Sequence, residues 1–174
     1  LPACPWLPTA VSLCPASRYF NAVQSECFPA AYGSYVSMVV AAPTGSGKTG
    51  VMELAILRLM SKHINQAGKF VLKPGSLKVV YLAPIRALVQ EKAQEWLVKF
   101  GERLGLSCKE MTGDTETEDM QGLDAADIIC TTPEKFDAVT RKHKDQGGMR
   151  FFGEVALVLV DEVHLLNENR GSAL

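Results

Sequence analysis

Hydrophobic positions in this chain follow two patterns, short apolar runs and longer stretches with helical spacing. Residues 36–42, 78–83, 127–131 and 155–160 are runs of five to seven residues rich in Val, Leu and Ile. They are too short for helices and apolar on successive positions, so they are expected to be buried strands. Helical spacing recurs around residues 21–32 and again from 48 to about 62, where Val51, Leu54, Ala55 and Leu59 share one side. It returns from 86 to about 100, stopping near Gly101, and after Pro133, a residue suited to a first helical position. A loop carrying Gly68, Pro74 and Gly75 separates the second helix from the second strand. Strands alternating with helices predict an α/β fold, a parallel sheet covered by helices. No internal repeat is present.

Residues 1–17 break this rhythm. They carry Pro2, Pro5, Pro8 and Pro15 without periodicity and read as a loose tail. The chain begins with Leu1 and has no basic residue before Arg18, which fits no secretory signal and suggests a fragment.

The chain's 174 residues are 47% hydrophobic and 21% charged, enough for one α/β domain with a sizeable core and too apolar for disorder. No run of about 18 apolar residues occurs, so neither a transmembrane helix nor a membrane partner is expected. The net charge of −1 hides an asymmetry. Residues 1–100 hold ten Lys and Arg against four Asp and Glu, and residues 101–174 hold eight against fifteen. A basic face meeting phosphates and a solvated acidic segment both fit that split. Cys4, Cys14, Cys27, Cys108 and Cys130 are odd in number and form no C-x-x-C pair, so reduced, intracellular thiols are the default.

Between the first apolar run and the long helix stands Ala42-Pro43-Thr44-Gly45-Ser46-Gly47-Lys48-Thr49. Strand, glycine-rich loop and helix are the setting of a P-loop. A backbone wrapping a polyphosphate needs permissive φ and no Cβ in the way, which Gly45 and Gly47 supply. Their N–H groups and the helix N-terminus would face the anion. Lys48 would reach the β- and γ-phosphates of ATP, and the Thr49 hydroxyl would ligate Mg²⁺. Ala42 replaces the first glycine of the usual pattern. A plain glycine turn beside a surface lysine is the competing reading.

The last apolar run ends in Asp161-Glu162-Val163-His164. Carboxylates at the C-terminal end of a buried strand suit a second Mg²⁺ contact through Asp161 and a water-orienting base in Glu162. An acidic first helical turn would show the same residues for dipole reasons alone. His164 taken singly is more often a structural hydrogen-bonding group than a catalyst.

These motifs resemble, in order, those of superfamily 2 helicases of the DExH-box kind. Residues 42–49 look like motif I and residues 161–164 like motif II. Tyr81-Leu82-Ala83-Pro84-Ile85-Arg86-Ala87-Leu88 resembles motif Ia, and Thr131-Thr132-Pro133-Glu134-Lys135 resembles motif Ib. Thr112-Gly113-Asp114 resembles the turn between them, and Phe20-Asn21-Ala22-Val23-Gln24-Ser25 the adenine-recognition element. Residues 50–55, together with Leu165, Leu166, Arg170 and Gly171 after motif II, are similar to the superkiller-like group. Residues 20–28 and 109–115 look most like its meiotic crossover-promoting DNA helicases.

The resemblance implies a RecA-like P-loop NTPase fold over residues 18–174, an incomplete first motor domain. It implies Gln24 at the adenine edge with Phe20 packed nearby, and Pro84, Arg86, Thr132 and Pro133 toward a nucleic-acid backbone. His164 would couple the two sites. Backbone amides and hydroxyls hold phosphates without reading sequence, which suits a motor. For Arg86 a solvated helix position, and for Pro133 a simple helix start, fit as well. The cluster Arg141-Lys142-His143-Lys144 reads as a charged surface loop or as further phosphate contacts.

The implied activity is ATP-dependent 3′ to 5′ translocation on single-stranded or branched DNA in a nucleus, in meiotic recombination. Relatives acting on RNA and non-helicase P-loop enzymes are the alternatives. The second RecA-like domain and its arginine finger are not among these residues, so negligible ATPase is expected of the segment alone.

Overall fold

The computed structural model describes residues 19–63, 65, 67, 70–111, 123–145 and 149–167. They fall into two compact units, one within Leu1–Gly68 and one within Lys69–Leu174. The expected tail at residues 1–17 lies outside the described residues, as do Thr112-Gly113-Asp114, Arg170 and Gly171.

In the first unit, α1 (Ala22–Ala31) starts at Asn21, whose side chain accepts the Gln24 N–H while the Gln24 side chain accepts the Asn21 N–H. This reciprocal box satisfies two N-terminal donors and sets where the helix begins. The second helix, α2 (Lys48–Ser61), begins directly after the glycine-rich loop. Its burial is broader than one stripe. Val51, Leu54, Ile56, Leu57 and Met60 are buried, while Ala55 and Leu59 are only half-buried. A helix covered on most of its circumference is a core helix rather than an amphipathic one.

The expected strand at residues 36–42 is not one. The segment is extended, but it joins no ladder among the described residues, and Val36 and Val39 are 71% and 91% exposed. An apolar run marks a demand for burial; it becomes a strand only where a neighbouring edge offers hydrogen bonds.

The second unit holds a four-stranded, all-parallel sheet in the order β2-β3-β1-β4. Its strands are β1 (Lys78–Leu82), β2 (Cys108–Met111), β3 (Ile128–Thr131) and β4 (Val155–Val160). Three were legible as apolar runs. The β2 strand was not, because its exposed Lys109 and Glu110 hide it; charge on an edge strand also discourages pairing with another chain. At the opposite edge β4 is only partly covered, with Val158 49% exposed.

Both faces of this sheet are covered. Registered pairs share a face, and successive residues alternate. On one face, Tyr81 beside Cys130 meets Trp96 of α3 (Arg86–Trp96), edge to face at 5.2 Å. On the other, Ile129 packs with Val139 of α4 (Pro133–Asp145) and Phe151 of α5 (Met149–Glu154). After Trp96 the chain widens into a π-helical segment, Leu97–Glu102, instead of continuing as α-helix to Phe100. No helix among the described residues is long and apolar enough to cross a membrane.

Lys78 is fully buried at the start of β1. Its ammonium donates to the carbonyls of Leu123 and Asp124, both at 2.9 Å, and of Ala126 at 3.2 Å, and lies 3.6 Å from Glu154. It ties the approach to β3 and the end of α5 to the central strand. Lys78→Met removes the donor to three carbonyls, and its expected cost is about 3–5 kcal/mol, read as a lower urea midpoint. Asp127, expected inside the β3 strand, instead precedes it and accepts the N–H groups of Gly75 and Ser107, each at 2.8 Å.

Candidate nucleotide-binding site

The glycine-rich loop has the backbone that its sequence demands. Gly45 and Gly47 have φ of 78° and 85°, a region costly for other residues. Gly47 is the N-cap of α2 and brings no side-chain cap, so the dipole end of that helix is left to the loop. Lys48 turns back on the loop, its Nζ donating to the carbonyls of Ala42 at 2.8 Å and Pro43 at 3.0 Å. The Ser46 N–H donates to Pro43 O at 3.2 Å, whereas the buried Ser46 Oγ has no hydrogen-bond partner. Thr44 is exposed and Thr49 half-buried in the first turn of α2. An orphaned buried hydroxyl, an uncapped helix start and a lysine held on weakly placed carbonyls together fit a polyphosphate.

The α1 box reaches this loop. Asn21 Nδ2 donates to Ser46 O at 2.9 Å and Gln24 Nε2 to Gly47 O at 3.2 Å. The fit is close. A Cβ on Gly47 would stand 2.6 Å from the Asn21 amide nitrogen, and one on Gly50 would stand 2.5 Å from that of Gln24. Gln24 is buried and its amide is engaged at both ends, whereas Phe20 packs on Phe28 with centroids 5.5 Å apart. Nothing in the local sequence announces that Asn21 would hold Ser46.

In the second unit the acidic motif sits where β4 ends. Asp161 N–H extends the ladder to Leu82 O at 2.8 Å. Its carboxylate accepts the Tyr81 hydroxyl at Oδ2 and the Glu162 N–H at Oδ1, both at 2.9 Å. Glu162 has φ of 50°, the one non-glycine with positive φ among the described residues, and such strain concentrates at functional sites. Glu162 Oε2 lies 3.3 Å from Nδ1 of His164, whose side chain is 71% exposed. Burial, with the neighbouring Asp161 carboxylate, raises the Tyr81 phenol far above its ordinary value, so it remains a donor. Among the described residues no three His, Cys, Asp or Glu side chains converge on a metal-sized site. Mg²⁺ held by phosphates and water needs only one or two protein ligands, and Thr49 and Asp161 are of the required oxygen type.

The four residues assigned to nucleic acid divide. Arg86 is exposed at the start of α3. Pro84, Thr132 and Pro133 are buried. Thr132 instead caps α4, accepting the Lys135 N–H at Oγ1 at 3.4 Å and the Phe136 N–H at its carbonyl. Arg141 pairs with Asp137 at 2.9 Å on an exposed face, as a surface charge does. The side chains of residues 142–144 lie outside the described ones. Cys27, Cys108 and Cys130 carry free thiols; burial pushes the Cys108 thiol up to about 12, which leaves it unreactive.

Residues 21–174 match the DEAD/DEAH box helicase family. The chain belongs to that family. This helicase domain is 56% identical over 157 residues to "ATP-dependent DNA helicase homolog MER3" of Arabidopsis thaliana, covering 90% of the chain and 14% of that relative. It is 46% identical over 158 residues to "Probable ATP-dependent DNA helicase HFM1" of Xenopus tropicalis, covering 90% of the chain and 11% of that protein. The chain therefore spans about a tenth to a seventh of these relatives. The crystal structure of DUF1998 helicase MrfA superposes with a TM-score of 0.73 at 21% identity, covering 98% of the chain and 25% of MrfA. That likeness gives the helicase domain a RecA-like helicase fold. Glycine-rich loop and acidic motif both lie within the residues that match this family, and a non-helicase P-loop enzyme is set aside.

Proposed function

We propose that this domain is the ATP-binding part of a 3′ to 5′ DNA helicase that works in a nucleus, in meiotic crossover formation. The observation that carries the reading is the glycine-rich loop, with its orphaned Ser46 hydroxyl and Lys48 held on Ala42 and Pro43. The two relatives named as ATP-dependent DNA helicases support DNA over RNA. Binding of ATP draws Lys48 off its carbonyls toward the β- and γ-phosphates. Residues 44–47 supply backbone N–H groups, and Gln24 stands at the adenine side. Thr49 and Asp161 hold Mg²⁺, which when bound offsets phosphate charge. Glu162 orients the attacking water, and His164, 3.3 Å from it, links that step to the strand-holding surface that includes Arg86. Residues 18–174 then belong to a first motor domain. The motor requires a second RecA-like domain carrying an arginine finger, so the isolated segment hydrolyses ATP negligibly.

Polarity is tested by strand displacement with the full-length protein that carries this domain. A duplex with a 3′ single-stranded DNA tail is expected to be unwound, and one with a 5′ tail left intact. Unwinding of the 5′-tailed duplex alone would contradict the assignment.

Gly50→Ala probes the α1 clamp. Its Cβ forces the Gln24 amide off Gly47 O, so ATP affinity is expected to fall about fivefold, near the worth of one hydrogen bond. Titration with a fluorescent ATP analogue reads this directly.

A further inference from the structure

Tyr81 brings a hydroxyl into a strand that is otherwise lysine and aliphatic, and its side chain is fully buried. A buried hydroxyl is costly unless it is bonded, and this one donates to Asp161 Oδ2 at 2.9 Å, across 80 residues of sequence. Its ring has little freedom. Tyr81 stands between Cys130 and Leu159 in the sheet register and meets the Trp96 ring edge to face. The phenol oxygen is therefore a fixed point, set by a strand buried along its whole length.

We infer that Tyr81 is a positioning residue for Asp161, fixing its carboxylate so that the remaining lone pairs point toward the Mg²⁺ that accompanies ATP. The inference rests on the reading of Asp161 as a metal contact. With Oδ2 tied to Tyr81 and Oδ1 tied to the Glu162 N–H, the carboxylate is held at two points, and the backbone N–H is tied to Leu82 O. Removing the phenol frees one of them. Partners behind a metal ligand commonly change metal affinity by about 10- to 100-fold when lost. Asp161 is half-buried, so water replaces part of the lost bond and the lower end of that range is expected.

The test uses the full-length protein with a non-hydrolysable ATP analogue and Mn²⁺ as the probe, followed by electron paramagnetic resonance. Tyr81→Phe keeps the ring against Trp96 and removes only the hydroxyl. It is expected to weaken Mn²⁺ binding about tenfold and to leave affinity for the analogue in EDTA unchanged. Asp161→Asn is expected to weaken Mn²⁺ binding further, and adding Tyr81→Phe to it to change nothing more, because the tyrosine acts through that carboxylate. Wild-type Mn²⁺ affinity in Tyr81→Phe, with loss in Asp161→Asn, overturns the role of Tyr81 and leaves Asp161 in place. Wild-type affinity in both overturns the metal contact itself. Tyr81→Met, which fills the space without a donor, serves the same comparison if the phenylalanine variant does not fold.

Discussion

Lys48→Ala in the full-length protein is expected to lower nucleic-acid-stimulated ATP hydrolysis by about 10²- to 10³-fold, the usual cost of removing one preorganised charge from a reacting phosphate. Lys48 is placed for that role by its neighbours. It is the first residue of α2, reached through a glycine with φ of 85°, and its ammonium rests on two loop carbonyls that offer it no opposite charge. Such carbonyls hold a cation loosely compared with a triphosphate, so exchanging one for the other is downhill. The lysine makes no ion pair on which the fold depends among the described contacts, and melting temperature is expected to stay within a few degrees. Hydrolysis within threefold of wild type would remove Lys48 from the chemistry.

Glu162→Gln is expected to cost about 10²- to 10⁴-fold in the hydrolysis step while ATP still binds. The substitution keeps shape and hydrogen-bonding reach but removes the carboxylate that orients and accepts from water. Its backbone is the informative part. A glutamate at φ of 50° is held against its preference by Asp161 on one side, through the Glu162 N–H, and by the 3₁₀ turn Val163–Asn167 on the other. A side chain turned that way projects off the end of β4, where its carboxylate meets His164. Nucleotide affinity equal to wild type, with turnover lost, is the expected split. A variant that loses ATP affinity and keeps its rate would assign Glu162 to binding.

Much of this was legible along the chain, where the physics is local. The runs that became β1 and β3 are apolar on both faces because both faces are buried, and period-two alternation was absent there for that reason, whereas β4 is an apolar run on a partly covered edge. The P-loop was readable because its glycines answer a backbone need that no other residue meets cheaply. Residues 36–42 misled, since composition reports a wish for burial and not whether an edge is present to pair with. The opposite error hid β2, whose charges describe an edge. Thr132 and Pro133 are buried where Thr132 caps the helix that follows, a burial that the Thr-Pro pair alone does not reveal.

Long-range partners were the illegible part. The hold of the α1 box on Ser46 and Gly47 spans more than 20 residues. The Tyr81 hydroxyl reaches Asp161 only because β1 and β4 lie side by side in the sheet. Neither pair leaves a spacing that a single sequence displays.

The most direct test of the whole account is the ATPase rate of the full-length protein with single-stranded DNA, with single-stranded RNA and with neither, Lys48→Ala serving as the blank. Hydrolysis is expected to rise at least tenfold with DNA, to rise less with RNA, and to fall about 10²- to 10³-fold in Lys48→Ala. A rate unmoved by DNA, or one that only RNA raises, would contradict it.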